Sequence, residues 1–582
     1  MSRCRLVALV MLILIVAWQA RSGTMDSIAG PPDPEAPVSI VVHDRVLHPV
    51  SPLLFGQFME DAGDREPGPQ SAAALIPGTG TFRPEVLEQL RRLRATVIRF
   101  PGGFMAERHN RGFDYRLWLP GPVEGWPEPE PTGDRRRFGL IEFFAACEEL
   151  DAEPMLVVPC RPAFQRAPDP KPERTVEQTA EFAAGLVAFA NATSPEDVPE
   201  RLRAWVRLRH DAGRPEPANV KYWQIGNEWW LFRRPFISDG GWTEEEFNAR
   251  HVEVVDAVSR AMRAVDPDIV LITDAVKQVN AQILALKPGI DWLSSHQYSP
   301  HDSPDFALRD GQRVPIEALS AEEHWRLLTA MPYCDADGRS MWRTDRPALS
   351  DNDAPLAFTE WNWNGWGPGV FGHPEHEPSW SMGVGVAGFL HAILRSGDRA
   401  QVATQSMMVG SRWGITAVRV SDEHPPRLTT KGRVTAFYAR HHGDRRLAVD
   451  DSDVPVDAQP YRMGVYTRPE PKVKRVDVVA TATDDRVFVH LIHRGFDQPI
   501  DLSIDLSEVM PASHRDGSLA SMHLMIGTSD LDLDNPALSS ALAEVIVDEN
   551  IRDGVAKIRL PAKSIAIVEL RTPRRMGTKE KS

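Results

Sequence analysis

The sequence predicts an α/β fold: a (β/α)8, or TIM, barrel followed by a C-terminal, jelly-roll-like β-sandwich domain. Three observations predict it. Short apolar runs alternate with helical patterns eight times over roughly residues 50 to 410, the rhythm of a parallel barrel. After about Ile415 the rhythm changes to strand-like runs separated by turns. At 582 residues, the chain is also too long for one compact core, so two or more domains are expected.

Taken in order, Arg3 and Arg5 precede an apolar run from Leu6 to Trp18 and the small-x-small triplet Ala20-Arg21-Ser22. That layout predicts a signal peptide over residues 1–22 and a secreted or periplasmic protein. The run is 13 residues, shorter than the ~20 that span a bilayer as a helix; an uncleaved anchor is the alternative. Residues 23–37, rich in proline, read as a linker, and residues 38–49 as a strand expected to join the C-terminal sandwich. The barrel is expected over 50–412, the sandwich over 413–573, and a polar, disordered tail over 574–582.

The eight barrel strands are read at Leu53 to Phe58, Thr96 to Phe100, Pro154 to Pro159, Val220 to Gly226, Ile269 to Thr273, Ile290 to Ser295, Leu356 to Glu360 and Gln401 to Met408. Between them, Val86, Leu87, Leu90 and Leu93 show helical spacing, and the helix from Thr243 to Val265 meets its stop signal at Asp266-Pro267. An open doubly wound sheet is the alternative, but no glycine-rich phosphate loop follows the first strand. Little helix is expected after Ile415.

Composition narrows the function. A net charge of −15 argues against nucleic acid as the main partner, because a phosphate backbone calls for a basic surface. Four cysteines show no C-x-x-C spacing; Cys147 and Cys160 read as small buried hydrophobes, and no disulfide can be deduced.

In such a barrel, catalytic groups project from the C-terminal ends of strands. Here those ends carry Glu60, Arg99, Asn227-Glu228, His296-Gln297-Tyr298, Thr359-Glu360-Trp361 and Gln405. Two carboxylates on strands four and seven are what glycoside hydrolysis requires: a proton for the departing oxygen and an opposing carboxylate for the anomeric carbon. A gap of ~5 Å lets the second attack directly with retention, and a wider one admits water and inverts. One carboxyl must stay ionised, which Arg99 and Tyr298 would favour. The other must hold a proton, which desolvation against Trp223, Trp229 and Trp230 would favour. Asn227 can bind a ring hydroxyl, and Trp229, Trp230, Trp361, Trp363 and Trp366 offer faces for stacking.

Each residue alone also has a bland reading, as helix cap, core packing or structural ion pair. The conjunction on one face carries the argument. The cluster His373, Glu375, His376 and Glu377 lacks helical H-E-x-x-H spacing and reads as a solvated loop or a lining of the active-site mouth. His441-His442 reads as a strand-edge or interdomain pair rather than a ligand set, and no catalytic metal is expected.

The residues that carry a resemblance are spread along the chain. They are Gly56-Gln57-Phe58-Met59-Glu60, Ile98-Arg99-Phe100-Pro101-Gly102-Gly103, Phe138 to Phe143, Glu153-Pro154-Met155-Leu156, Val220 to Glu228, Ser295-His296-Gln297-Tyr298 and Thr359-Glu360-Trp361-Asn362. This ordered set resembles family 51 of the glycoside hydrolases, the α-L-arabinofuranosidases. The resemblance implies that Glu228 is the acid/base and Glu360 the nucleophile, with net retention. It implies that Glu60 and Asn227 bind sugar hydroxyls, that Arg99, His296 and Tyr298 surround the nucleophile, and that the chain forms a homo-oligomer and needs no cofactor. Departures from the family pattern are Phe104 in place of Asn or Cys, Cys160 in place of Asn, and Thr359 in place of Asp. Phe104 and Trp361 are read as further substrate contacts, with Phe104 loosening the link to an arabinofuranoside.

The expected function is therefore an exo-acting α-L-arabinofuranosidase that removes side chains from plant polysaccharides by double displacement. Alternatives are another retaining hydrolase of the same clan (xylosidase, glucuronidase or endo-glucanase) and a non-catalytic carbohydrate-binding barrel. No membrane span is expected once the signal is removed.

Overall fold

The computed structural model describes residues 37–63, 66–107, 114–126, 135–164, 174–238, 241–298, 306–330, 352–363, 380–463, 468–527 and 543–572. The expected signal peptide, nearly all of the linker, the polar tail, Cys334, Trp366 and the His373 to Glu377 loop lie outside them.

Eight parallel strands close into a barrel in chain order. They are β1 (Gly56–Phe58), β2 (Val97–Phe100), β3 (Glu153–Val158), β4 (Tyr222–Ile225), β5 (Val270–Asp274), β6 (Trp292–Tyr298), β7 (Leu356–Asn362) and β8 (Ala400–Ser406). Successive side chains on a strand alternate between the two faces of the sheet. Inward residues at the start of the strands, Val97, Met155, Tyr222, Ile272, Ala357 and Val402, therefore meet as one buried apolar floor. Outward residues such as Ile98, Phe100, Leu156 and Trp223 pack against the surrounding helices.

Three local differences from the sequence reading have clear causes. The chain enters β1 through a 3-10 turn, Pro52–Phe55, because Ser51 caps it and Pro52 pre-sets its first φ. β6 runs on to Tyr298, so His296 and Tyr298 lie two apart on the strand itself. Finally, the chain after Ile415 is not helix-poor throughout. A helix spans Thr430–Arg440, opened by the Thr429 hydroxyl accepting from Gly432 N–H. It packs on the helices Trp380–Arg395 and Pro84–Leu93, completing the outer ring where the barrel closes. The barrel thus continues well past Arg412, and the β-rich body begins near Arg445.

That second body is a closed sheet of nine strands. In order they are Val38–Pro49, Arg445–Asp450, Val476–Ala482, Arg486–His493, Ser564–Arg571, Leu519–Ile526, Ala543–Arg552, Val555–Leu560 and Ile500–Asp505. Val38–Pro49 pairs antiparallel with Arg445–Asp450 and parallel with Ile500–Asp505, so the N-terminal segment closes the ring. Its core holds Ile40, Val42, Leu447, Val489, Ile558 and Val568. Phe437 and Tyr438 from the last barrel helix share a second apolar cluster with Phe488, Ile492 and Ile567 of the sheet, joining the two bodies. Cys147 and Cys160 are free and buried. Among the described residues, no helix is long and apolar enough to cross a membrane.

Candidate active site

Two residues along from the apolar floor, the same inward faces turn polar: Arg99 on β2, Gln224 on β4 and Asp274 on β5. Arg99 is fully buried and uses its whole guanidinium fork. Nε donates to Gln224 Oε1 at 2.8 Å, Nη1 to Glu360 Oε1 at 3.0 Å and Nη2 to Asn227 Oδ1 at 2.5 Å. One cation on β2 thereby fixes a carboxylate on β7 and the amide that follows β4. An arginine suits this because its planar donors reach several acceptors at once.

Glu360 is held from its other oxygen too. Tyr298 O–H donates to Glu360 Oε2 at 2.8 Å, and the same hydroxyl lies 2.7 Å from Ser406 Oγ on β8. Burial and the Glu360 charge push the Tyr298 phenol well above its ordinary range, so it stays a donor. Opposite, Glu228 follows β4 in a tight turn in which Gly226 and Glu228 both have positive φ, 73° and 53°. Left-handed backbone is uncommon for a glutamate and clusters at functional turns.

His296 lies between the two carboxylates, with Nδ1 3.1 Å from Glu228 Oε1 and 3.4 Å from Glu360 Oε2. Its Nε2 meets Thr359 Oγ1 at 3.1 Å, and Thr359 in turn meets Ser294 Oγ at 2.6 Å. Glu228, His296 and Glu360 bring one polar atom each within 4.8 Å of one another. The two carboxyl groups therefore face one another across a narrow gap, the spacing of direct displacement rather than of an intervening water. The same trio could meet a divalent cation, but the Arg99 guanidinium already supplies positive charge to Glu360.

The Pro-Gly-Gly bend after β2 has a steric reason. A Cβ on Gly103 would lie 2.2 Å from Glu360 Oε1, and one on Gly102 (φ +132°) 2.7 Å from Glu60 Cγ. Glu60 Oε1 accepts from Gly103 N–H at 3.2 Å and Met105 N–H at 3.1 Å. Burial and the neighbouring Glu360 push Glu60 up to about 8. Asn227 Nδ2 is buried beside Gly103 with no hydrogen-bond partner among the described residues, a donor suited to a ligand hydroxyl.

Glu60, Arg99, Asn227, Glu228, His296, Tyr298 and Glu360 thus converge at one point on the barrel mouth. The tryptophans expected there mostly do not. Trp361 is fully buried behind β7 against Phe389, with centroids 5.6 Å apart, because the neighbour of inward Glu360 must point outward. Trp363 is likewise in the core, donating to Leu328 C=O at 3.0 Å. Trp223 donates to Val220 C=O in the helix layer, and Trp229 stacks on His251 at 3.9 Å. Of the expected tryptophans among the described residues, Trp230 alone meets the site, edge-on to His296 at 5.2 Å. Phe104 is half-buried beside Phe232, with centroids 6.2 Å apart.

Three carboxyl or amide groups were not singled out from sequence. Gln224 Nε2 donates to Asp274 Oδ1 at 3.3 Å, and Asp274 Oδ2 accepts from Trp229 N–H at 3.0 Å, tying β5 to the Glu228 turn. Burial pushes Asp274 up to about 8. Glu107 accepts from the backbone of Cys160, Arg161 and Asn227 at 2.8, 2.8 and 3.0 Å, clamping the ends of β3 and β4, and burial pushes it up to about 7. Counting by two along β4 and β5 would have found Gln224 and Asp274. Glu107 lies in a loop and gives no such signal.

Known proteins resemble this chain in sequence and in fold. The family described as the alpha-L-arabinofuranosidase 1 domain matches residues 89–312. Alpha-L-arabinofuranosidase C of Emericella nidulans is 28% identical over 294 residues, 46% of this chain and 51% of that protein. An intracellular exo-alpha-(1->5)-L-arabinofuranosidase of Streptomyces lividans is 27% identical over 455 residues, 72% of this chain and 58% of that protein. The chain thus spans about half the length of the curated relatives it matches. Among solved structures, the family 51 α-L-arabinofuranosidase of Bifidobacterium longum superposes with a TM-score of 0.64 at 19% identity, covering 93% of this chain and all of that one. The enzyme from Thermotoga maritima gives 0.63 at 16%, covering 92% and 100%; at such identities the likeness is one of fold. The chain is therefore similar to α-L-arabinofuranosidases over its matched domain and in sequence, and it shares the fold of the family 51 enzymes.

Proposed function

We propose that the chain is a retaining, exo-acting α-L-arabinofuranosidase in which Glu360 is the nucleophile and Glu228 the acid/base. One observation carries the reading: two carboxylates on facing strand ends approach within 4.8 Å, and one of them is held by Arg99 and Tyr298. In the first step a Glu360 oxygen attacks the anomeric carbon while the glycosidic bond breaks and the departing oxygen takes the proton of Glu228. In the second, Glu228 removes a proton from water, whose oxygen displaces Glu360 and restores both groups with the starting configuration. Arg99 and Tyr298 each donate to one Glu360 oxygen, which aims the carboxylate and receives its charge when it leaves. Asn227 Nδ2 and Glu60 serve the sugar hydroxyls, and Phe104, beside Phe232, borders the entrance.

A panel of nitrophenyl glycosides tests the sugar, and NMR of the first-formed product tests the stereochemistry. Release from the α-L-arabinofuranoside with retained configuration is expected. Release only from a xyloside or glucuronide would move the assignment to another hydrolase of the clan, which Phe104 would then explain. An inverted product would overturn double displacement. Secretion and assembly of several copies belong to the same proposal; Arg3, Arg5 and the apolar run Leu6 to Trp18 support the former.

A further inference from the structure

Away from the barrel mouth, four ligating side chains meet where the last barrel helix touches the nine-stranded sheet. Strand register explains how. On Leu519–Ile526, the residues Ser521, His523 and Met525 share one face, opposite Glu569, Ile567 and Ile565 on one neighbour and Asp548, Ile546 and Glu544 on the other. His523, Glu544 and Glu569 therefore stand on the same side of three adjacent strands, within diagonal reach of one another. Onto this face comes His441, the residue that ends the helix Thr430–Arg440.

The atoms are close. His441 Nδ1 is 3.4 Å from Glu569 Oε2, His441 Nε2 is 3.9 Å from Glu544 Oε1, and His523 Nε2 is 3.5 Å from Glu569 Oε2. His441, His523 and Glu544 place one ligand atom each within 4.8 Å of one another. Bonds of ~2.0–2.1 Å in a tetrahedron put ligand atoms ~3.3–3.5 Å apart, so the trio would close inward by up to roughly 1.5 Å on binding an ion.

Both carboxylates are also oriented from behind. Arg440 donates to Glu544 Oε2 at 2.7 Å and Arg486 to Glu569 Oε1 at 3.0 Å, which turns the other oxygen of each toward the imidazoles. Outer hydrogen bonds of this kind fix the direction of metal ligands. The imidazole rings themselves lie 4.0 Å apart, tilted by 35°, so the helix end and the sheet each bring a ring to the same spot. Nothing in the proposed hydrolysis uses this cluster.

We propose that His441, His523 and Glu544, with Glu569 as fourth ligand or as the partner of His441 Nδ1, form a structural site for a zinc-class divalent ion. Nitrogen and carboxylate donors in this ratio suit Zn2+ or Co2+ and not the all-oxygen cages that hold Ca2+ or Mg2+. The ion would staple the end of the last barrel helix to three strands of the second body, so its effect is on their docking and not on the reaction.

The test is to strip the whole chain of metal and titrate it with Co2+, following the visible bands, and with Zn2+, following heat. One equivalent in a low-symmetry environment is expected, together with a Zn2+-dependent rise in Tm. The Glu228→Gln variant separates this site from the cluster at the barrel mouth and should bind the same equivalent. His523→Ala and the half-exposed Glu544→Ala should each lose it while keeping circular dichroism and hydrolytic activity, and Glu569→Gln should weaken binding by ~10–100-fold. Failure of the wild-type chain to bind Co2+, or full binding by both folded His523→Ala and Glu544→Ala, would overturn the site.

Discussion

The two ends of the barrel are made by the same strands and the same alternation, yet they hold opposite chemistry. At the floor, Val97 and Ile272 bury wholly apolar side chains, and Tyr222 packs its ring beside them. Two residues along the same strands, Arg99, Gln224 and Asp274 occupy equivalent inward positions at the mouth. Apolar burial contributes about 25 cal/mol per Å2, whereas buried ionisable groups cost stability unless paired or neutralised. The mouth answers that cost in two ways. Arg99 pairs with Glu360, while burial pushes Glu60 and Asp274 up to about 8, which favours their neutral forms near neutral pH, and Glu107 up to about 7. The comparison teaches that stability is concentrated at one end of each strand so that strained, desolvated chemistry can be tolerated at the other.

Substitutions at the two ends should therefore separate rate from stability. The largest effect is expected for Glu360→Ala, which removes the group that bonds to the anomeric carbon. Turnover should fall by more than the ~10^4-fold that general acid–base assistance supplies, with sugar binding still measurable by calorimetry. Substantial turnover in that variant would end the assignment. For Glu228→Ala the loss should be ~10^2–10^4-fold on poor leaving groups and much smaller on activated aryl glycosides, since only the former need the proton. Equal losses on both classes would contradict the acid role.

At the floor the pattern should reverse. Ile272→Ala is expected to lower unfolding free energy by ~2–5 kcal/mol through lost burial and a residual cavity, while kcat per folded molecule stays near wild type. A large fall in kcat with unchanged stability would show that floor and mouth are not separable.

A pH-dependent effect tests the cost of the mouth itself. A carboxyl with a folded pKa of about 8, against ~3.9 unfolded, binds more protons in the native state between those values. Its contribution to stability is thus fully present at acid pH and is lost as pH rises toward 8. Asp274→Asn should flatten that decline by up to ~1.4 kcal/mol per pH unit, seen in denaturant unfolding across pH 5 to 8. An unchanged slope would mean that Asp274 is already ionised in the folded protein.

Much of the barrel was legible because its signals are local. Apolar runs of strand length, a proline stop at Asp266-Pro267 and polar residues closing apolar runs all act within a few positions. The helix Thr430–Arg440 escaped because its buried residues include Thr430, Lys431, Gly432 and Thr435, which give no apolar stripe to read. Its place is set by packing in the ring and by Lys431 Nζ donating to Trp363 C=O at 2.5 Å. The tryptophans misled for a related reason: abundance near a strand end does not say which face a ring takes, and Trp361 faces away from the cavity where Glu360 faces in.

The sequence by itself determined the alternation of elements, the apolar and polar ends of each strand and the identity of the groups at those ends. Tertiary structure alone decided which of them meet. Arg99 and Glu360 are 261 positions apart, and their 3.0 Å contact exists only because the barrel closes with a fixed register. Local propensity acts over a few residues, whereas hydrogen-bond geometry and desolvation depend on neighbours that only chain closure supplies.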